Sequence, residues 1–256
     1  MAGPRPTAAG LTSRLVQLAF LLAVGLLWYL ATTYWGVSPL LLPHPAKVWR
    51  ELVDVLASGQ YLGDLRVTLT ELAVAFSGAM IAGVTTGFAV SRSPFLVRVF
   101  EPLFAGIYSI PIILFLPLYV LFFGLGPASK IALGFTISFF PIVLNTIAGF
   151  SNVDRTLVTA ARSLGASNAQ LFRYVLLPGA LPVILSGVRM GFTVALLSII
   201  GSETIASLAG LGHRIVNLAE NMDMARMFAY IVFVVAIAVV LNALVSKLEA
   251  RGRRHR

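Results

Sequence analysis

Few residues in this sequence combine type and spacing in a way that does chemistry. The three histidines, His44, His213 and His255, stand alone in polar stretches, and there is no cysteine, so no metal site is assigned. The string GLGPASK at Gly124–Lys130 looks like a phosphate-binding loop. It lacks the second glycine, however, and joins two apolar runs instead of a strand and a helix. No catalytic residue is assigned, and the chain does not hydrolyse ATP alone. What remains are polar and ionisable groups inside apolar runs, which a bilayer tolerates only where they serve function or find a partner. Glu203, in SIIGSETIAS, leads this group: it lines the mouth of a solute pathway or satisfies backbone at a helix end. Arg189 lies towards the other end of the same run, close enough to snorkel to a headgroup. Glu101 before Pro102 suits a helix start, where the dipole favours negative charge. Tyr108, Ser109, Pro111, Ser138, Asn145, Thr146 and Ser198 complete, with Glu203, a candidate translocation path.

Such groups need spans to carry them, and the composition supplies spans. Of 256 residues, 58% are hydrophobic and 11% charged, with a mean hydropathy of +0.91. A soluble domain of this length carries about a quarter of its residues as charges. The chain therefore reads as an all-α, polytopic membrane protein with six transmembrane helices. The expected spans are about 15–34, 72–90, 100–123, 131–150, 184–207 and 227–245. Residues 1–14 read as a polar tail, disordered over Met1–Ser13, and 15–256 as one membrane domain. The first run is too long for a signal-peptide core and ends in Tyr34-Trp35, an interfacial anchor, so it reads as a retained span. After Pro39, Pro43 and Pro45, the stretch Ala46–Leu56 has the pattern of an amphipathic surface helix. Ala79, Gly83 and Gly87 in the second span, and Gly187 and Gly191 in the fifth, form stripes for close helix contact. Pro111 and Pro117 interrupt the third span, either to line a cavity or to bend it around its neighbours.

The net charge of +9 is distributed beside the spans and follows topology, not a nucleic-acid partner. With six spans, thirteen of the 19 lysines and arginines fall on the side holding both termini and the 154–182 loop. That bias puts the termini and the loop in the cytoplasm.

The loop itself, DRTLVTAARSLGASNAQLFRYVLLPGALP, is the longest stretch between apolar runs that still carries helical signals. Asp154 is a helix cap, and Leu157, Ala160, Ala161 and Leu164 recur at helical spacing. Gly165 stands where a helix ends in left-handed backbone, and Ser167 with Gln170 forms a capping box for a second short helix. Leu171, Tyr174 and Val175 give that helix its apolar face, and Pro178 is expected to stop it.

Ala160-Ala161, Gly165 and Leu177-Pro178 in this order resemble the cytoplasmic "EAA" loop of membrane subunits of bacterial ABC importers. EPLFAGIYSIPIILFLPLYVLFFGLGPASK (Glu101–Lys130), FFPIVLNT (Phe139–Thr146), LPVILSGVR (Leu181–Arg189), the Gly210–Gly212 GLG and the terminal LEAR resemble the nitrate/sulfonate/taurine type. The resemblance implies a type I importer permease architecture in the inner membrane. It further implies a second permease copy, two ATP-binding subunits and an extracytoplasmic solute-binding protein. No cofactor is bound by this chain, since ATP and Mg belong to the ATPase. Leu157, Ala160, Ala161, Arg162, Leu164, Gly165, Ala166, Leu177 and Pro178 are then the ATPase-coupling residues. Thr159 stands where the family motif has Glu, so that acid's role does not carry over. Sulfonates, taurine, nitrate and pyrimidine vitamin precursors are the cargo classes implied. An ATP-independent secondary transporter or channel is the alternative; it calls for inverted repeats or paired acids and bases within the spans, which the sequence does not display.

Overall fold

The computed structural model describes residues 8–254, and every regular element among them is helical. Five helices are long and apolar enough to cross a bilayer, or six crossings if one sharply bent pair counts as a single span. The chain divides into two compact units. One comprises the chain up to Gln60 with Ile215–Phe233; the other comprises Tyr61–Arg214 and the chain from Val234 onward.

The first unit opens with α1 (Ala8–Thr33), which begins seven residues before the expected span. The first seven residues of the expected tail lie outside the described residues. Its remainder is helical because the apolar run nucleates a helix that extends cheaply into Ala8-Ala9. In α2 (Pro45–Ser58), His44 caps the start by accepting the Ala46 N–H at Nδ1 (3.2 Å), and Gly59 ends it at φ 68°. Val48 and Leu52 pack with Ala229, Trp28, Phe228 and Phe233, so the apolar stripe of this amphipathic helix is buried. Trp28 Nε1 donates to Pro43 O at 3.1 Å, and Arg226 reaches Asp54 at 2.5 Å and Glu51 at 3.5 Å.

The second unit holds α3 (Tyr61–Ser91), α4 (Pro94–Tyr108), a 3-10 turn (Ile112–Phe115), α5 (Leu116–Phe123) and α6 (Pro127–Ser151). It continues with α7 (Arg155–Ser163), α8 (Asn168–Leu171), a π-turn (Phe172–Leu176) and α9 (Leu177–Ile205). Two helices, α10 (Leu211–Glu220) and α11 (Met224–Arg254), run across the unit boundaries. The helical tail through Arg254 replaces an expected end near Val245, and His255 lies outside the described residues.

At the centre of this unit is α6, gripped by the two small-residue stripes. A Cβ on Gly83 or Gly87 of α3 would sit 2.8 Å from Ile142 Cγ2 or 2.5 Å from Thr146 Cβ. On the α9 side, a Cβ on Gly187 or Gly191 would sit 2.3 Å from Asn145 Cβ or 2.6 Å from Ile142 Cγ1. Only hydrogen at those positions lets the helices approach this closely, and without a hydrophobic force between them in lipid, close packing is what holds them. Phe76 meets Phe192 edge-on at 5.2 Å, beside buried Leu72, Ala75, Ala195 and Ile199.

The third apolar block is broken outright. α4 and the Ile112–Phe123 segment meet at 71°, around Ser109–Pro111. Pro111 (φ −67°, ψ 83°) leaves helical geometry and Pro117 then serves as an early residue of α5, where a missing N–H costs nothing. The structure therefore realises the break at Pro111 and not at Pro117.

Candidate functional site

The capping signals of the 154–182 loop fold as their chemistry requires. Asp154 accepts the Thr156 N–H at 2.8 Å and starts α7. Gly165 takes φ +80° and turns the chain, with its N–H on Arg162 O and the Ala166 N–H on Ala161 O. Ser167 and Gln170 form the reciprocal box, at 3.3 Å and 2.8 Å, that starts α8. The two helices frame a shallow socket of about 340 Å³ lined by Ala161, Leu164, Gly165, Ala166 and Tyr174. Leu164 is 88% exposed and Tyr174 69%, so large groups stand uncovered at its rim, and Leu157 is 57% exposed on α7. Ala160 and Arg162 are also exposed. Thr159 is spent on its own helix, donating to Arg155 O at 2.9 Å.

Two expectations need correction here. Pro178 does not stop the second helix: α8, the π-turn and α9 form one run of 38 residues, Asn168–Ile205. The wide turn at Phe172–Leu176 accommodates the proline ring, and Pro178 then sits at the start of α9, where no N–H is required. Leu177 and Pro178 thus belong to the base of a span and not to a loop. Tyr174 also departs from the expected apolar face, since Leu171 is buried while Tyr174 points outward.

The candidate path residues are not brought together. Ser109 and Pro111 are exposed at the broken span, and Tyr108 is half-buried against Phe140. Ser138 and Thr146 are fully buried in helix contacts and donate to Gly134 O (2.6 Å) and Ile142 O (2.7 Å) of their own helix. Asn145 does the same to Pro141 O at 2.8 Å, and Ser198 is 7% exposed. Arg189 pairs with Glu249 of α11 at 3.4 Å.

Glu203 is 1% exposed and tied to three chain segments. Its Oε1 accepts the Thr68 hydroxyl of α3 at 2.7 Å, and its Oε2 accepts the Gly212 N–H at 2.8 Å. The same Thr68 oxygen accepts the Leu211 N–H at 3.0 Å, and Asp64 accepts the Gly210 N–H at 3.3 Å. The loop after α9 is thereby fastened to α3. Glu71 of α3 (1% exposed) and Lys130 of α6 (0%) belong to the same buried group, and Lys130 interacts electrostatically with both carboxyls. Lys130 Nζ also donates to the carbonyls of Leu125 and Gly126, the latter at 3.2 Å. Glu71 Oε2 is buried without a hydrogen bond. By sequence Lys130 falls in a turn and Glu71 just ahead of a span, so sequence reasoning misses this intramembrane acid–base group. Both helices begin earlier than their apolar cores, at Tyr61 and Pro127. The available signal is an ionisable residue within one turn of an apolar run.

Apolar helices packed on a glycine-locked α6, with an exposed helix–turn–helix beside them, define the class: a polytopic membrane protein. Residues 78–254 match the family described as binding-protein-dependent transport system inner membrane component, and the chain belongs to that family. It is similar to the taurine transport system permease protein TauC of Escherichia coli, at 32% identity over 96% of this chain and 90% of that protein. It is also similar to the putative aliphatic sulfonates transport permease protein SsuC of Escherichia coli, at 33% identity over 86% of this chain and 81% of the relative. Among solved structures, a chain of an amino acid ABC transporter with histidines aligns with a TM-score of 0.63 and 23% identity, over 80% of this chain and 98% of the other. The inward-facing MetNI methionine ABC transporter aligns with a TM-score of 0.61 and 19% identity, over 73% and 93%. These likenesses establish the fold as that of ABC importer permeases. The chain is a multi-pass inner-membrane transport component.

Proposed function

We propose that this chain is the permease subunit of an ATP-driven importer of small sulfonates, taurine among them. The observation that carries the coupling part is the α7–Gly165–α8 turn, with Leu164 and Tyr174 uncovered around a small-residue socket and Leu157 exposed on α7. An exposed apolar patch of this kind marks a protein contact. Charge bias towards the termini and this loop supports a cytoplasmic location, where a separate ATPase subunit binds ATP and Mg. The sulfonate assignment follows the named cargo of the taurine and aliphatic-sulfonate relatives. Riboflavin and formylaminopyrimidine relatives keep vitamin-type cargo as the second reading.

In this reading two copies form the path, two ATPase subunits drive it, and an extracytoplasmic binding protein delivers the solute. Closure of the ATPases moves the paired α7–α8 turns. The 38-residue Asn168–Ile205 run, on the order of 57 Å long at helical rise, carries that displacement to the Glu203 end as a rigid element. Nothing in this chain performs a covalent step; its part is to change which end of the path is open.

The test is reconstitution with the ATPase and binding protein, reading ATP hydrolysis with each loaded solute. Stimulation by taurine-loaded binding protein is expected; stimulation by a loaded vitamin precursor alone would move the cargo class. In parallel, Ala161→Arg and Gly165→Asp should abolish co-purification of the ATPase while leaving membrane insertion intact. Normal recovery of the complex in both variants would overturn the coupling assignment.

A further inference from the structure

A second cleft of about 480 Å³ lies beside the α7–α8 turn, within the second unit, and of its lining only Arg162 enters the transport reading. Two cations line it: Arg92, just beyond the end of α3, and Arg162, in the last turn of α7. Both side chains are exposed, no acidic residue lines the cleft, and none of the ion pairs among the described residues involves either arginine. The floor is aromatic. Phe88, Phe150 and Phe172 meet with ring centroids 5.2, 5.1 and 6.2 Å apart, and the Arg92 guanidinium lies 5.9 Å from the Phe88 ring centre.

The level of the cleft matters as much as its charge. Ser91 is the last residue of α3, and Phe150 is one residue from the end of α6. Two helices long and apolar enough to span a bilayer end beside the cleft, so its apolar floor adjoins the span ends and Arg92 lies just past one of them. Guanidinium forks match phosphate oxygens in a bidentate way, and basic pockets between spans take anionic headgroups. A free phosphate or a soluble sulfonate would use the arginines and leave three rings in contact with water. A lipid uses both parts.

We propose that this cleft binds the phosphate headgroup of an anionic phospholipid, with Arg92 and Arg162 on the phosphate and the Phe88–Phe150–Phe172 floor against the glycerol and first acyl methylenes. Because Arg162 belongs to α7 and Arg92 follows α3, the lipid would fasten the docking helix to the body of the bundle. Arg162 also belongs to the expected ATPase-coupling set, so the site shares that one residue with the coupling assignment, while lipid retention itself depends on neither the ATPase nor the cargo.

Native mass spectrometry of the purified full chain, with whatever copies and subunits accompany it, tests this directly. Phosphatidylglycerol and phosphatidylcholine of identical acyl chains are the probes. The wild type should retain phosphatidylglycerol preferentially. R92Q/R162Q should weaken that retention by about 30-fold, two basic residues on the phosphate each contributing. R98Q/R173Q, the same charge loss from arginines outside the cleft, should leave retention unchanged. R92K/R162K, which keeps charge but loses the fork, should fall between. Equal loss in R98Q/R173Q would reduce the effect to general surface charge and overturn the site. Undiminished retention in R92Q/R162Q would overturn it too, as would displacement of the lipid by millimolar inorganic phosphate or taurine, which would make the occupant a small oxyanion.

Discussion

The contact between α6 and α9 can be tested at a single atom. Replacing Gly187 by alanine puts a methyl carbon 2.3 Å from Asn145 Cβ, 3.0 Å from its Cγ and 3.0 Å from the carbonyl oxygen of Pro141. Carbon atoms rest at about 3.5–4.0 Å, so the two helices must separate by roughly 1 Å along this seam. Asn145 has little freedom to swing aside, because its side-chain amide is bonded to Pro141 O at 2.8 Å. Overpacking of this kind costs about 1–3 kcal/mol. Against it stands the helical preference of alanine over glycine, about 1 kcal/mol. Gly201 lies in the same helix, and a methyl group added there would meet nothing within 4 Å, so Gly201→Ala collects that preference without the clash. The difference between the two variants isolates the steric term. At about 2–4 °C per kcal/mol for a chain of this size, Gly187→Ala should melt roughly 2–12 °C below Gly201→Ala. The assay is the apparent midpoint of thermal loss of the monodisperse peak in detergent. Equal midpoints would refute the claim that this glycine stripe sets the helix spacing.

Three further outcomes follow from the same geometry. Glu203→Ala leaves the buried Gly212 N–H without its acceptor and the Thr68 hydroxyl with only the Asp64 carbonyl at 3.2 Å, and should cost about 2 kcal/mol in the same thermal assay; a change within error would remove Glu203 from the structural role. Gly165→Ala meets no side chain but must hold φ +80°, so it should weaken the α7–α8 turn by about 1–2 kcal/mol, read as faster amide exchange over residues 155–171 with the spans unaffected. Trp28→Phe keeps the ring against Phe228 but loses the 3.1 Å bond to Pro43 O, and should cost about 1 kcal/mol; unaltered exchange at Leu42–Lys47 would count against that bond as the anchor of the Pro43–Pro45 segment.

How far the sequence can be read depends on the range of each interaction. Asp154, Gly165 and the Ser167–Gln170 box act within a few residues of themselves, so their roles are legible and their geometry follows. The glycine stripes are legible for a related reason: a spacing of four on an apolar helix has few other uses. Of the partners of those stripes on α6, Ile142 carries no local mark, and Asn145 and Thr146 stand out only as polar residues in a span; their seats against the glycines appear once the helices are packed. Pro178 misleads because a proline stops a helix only when its ring and missing N–H cannot be absorbed, and the preceding π-turn absorbs both. Lys130 and Glu71 escape notice because helices extend ahead of their apolar cores, carrying polar leading turns into the packed unit.

The fate of Glu203 bears on where a solute path can run. By sequence it is an acid inside a span that either lines the mouth of a path or satisfies backbone at a helix end, and its neighbours give it the second role, a fastening. Gly210 adopts φ +106°, and a Cβ there would lie 2.3 Å from Glu203 Oε1; one on Gly212 would lie 2.5 Å from Ile200 O and 2.7 Å from Glu203 Cβ. The Gly-Leu-Gly turn is thus shaped to close onto the carboxylate, and glycine at both ends lets two backbone segments reach it. Removing a partner from such a buried group is expensive, whereas a path must exchange its contacts at every cycle. Ser138 and Thr146, fully buried between helices, are equally out of reach of a solute. A path in the proposed assembly therefore has to draw on polar groups that remain exposed or half-exposed in this chain. Ser109 at the broken span, and Arg189 and Thr193 along α9, meet that condition, and the 71° break places Ser109 where the backbone itself leaves the helix. Substituting Glu203 should then act on stability first, and substituting Ser109 or Thr193 should act on transport with the fold intact.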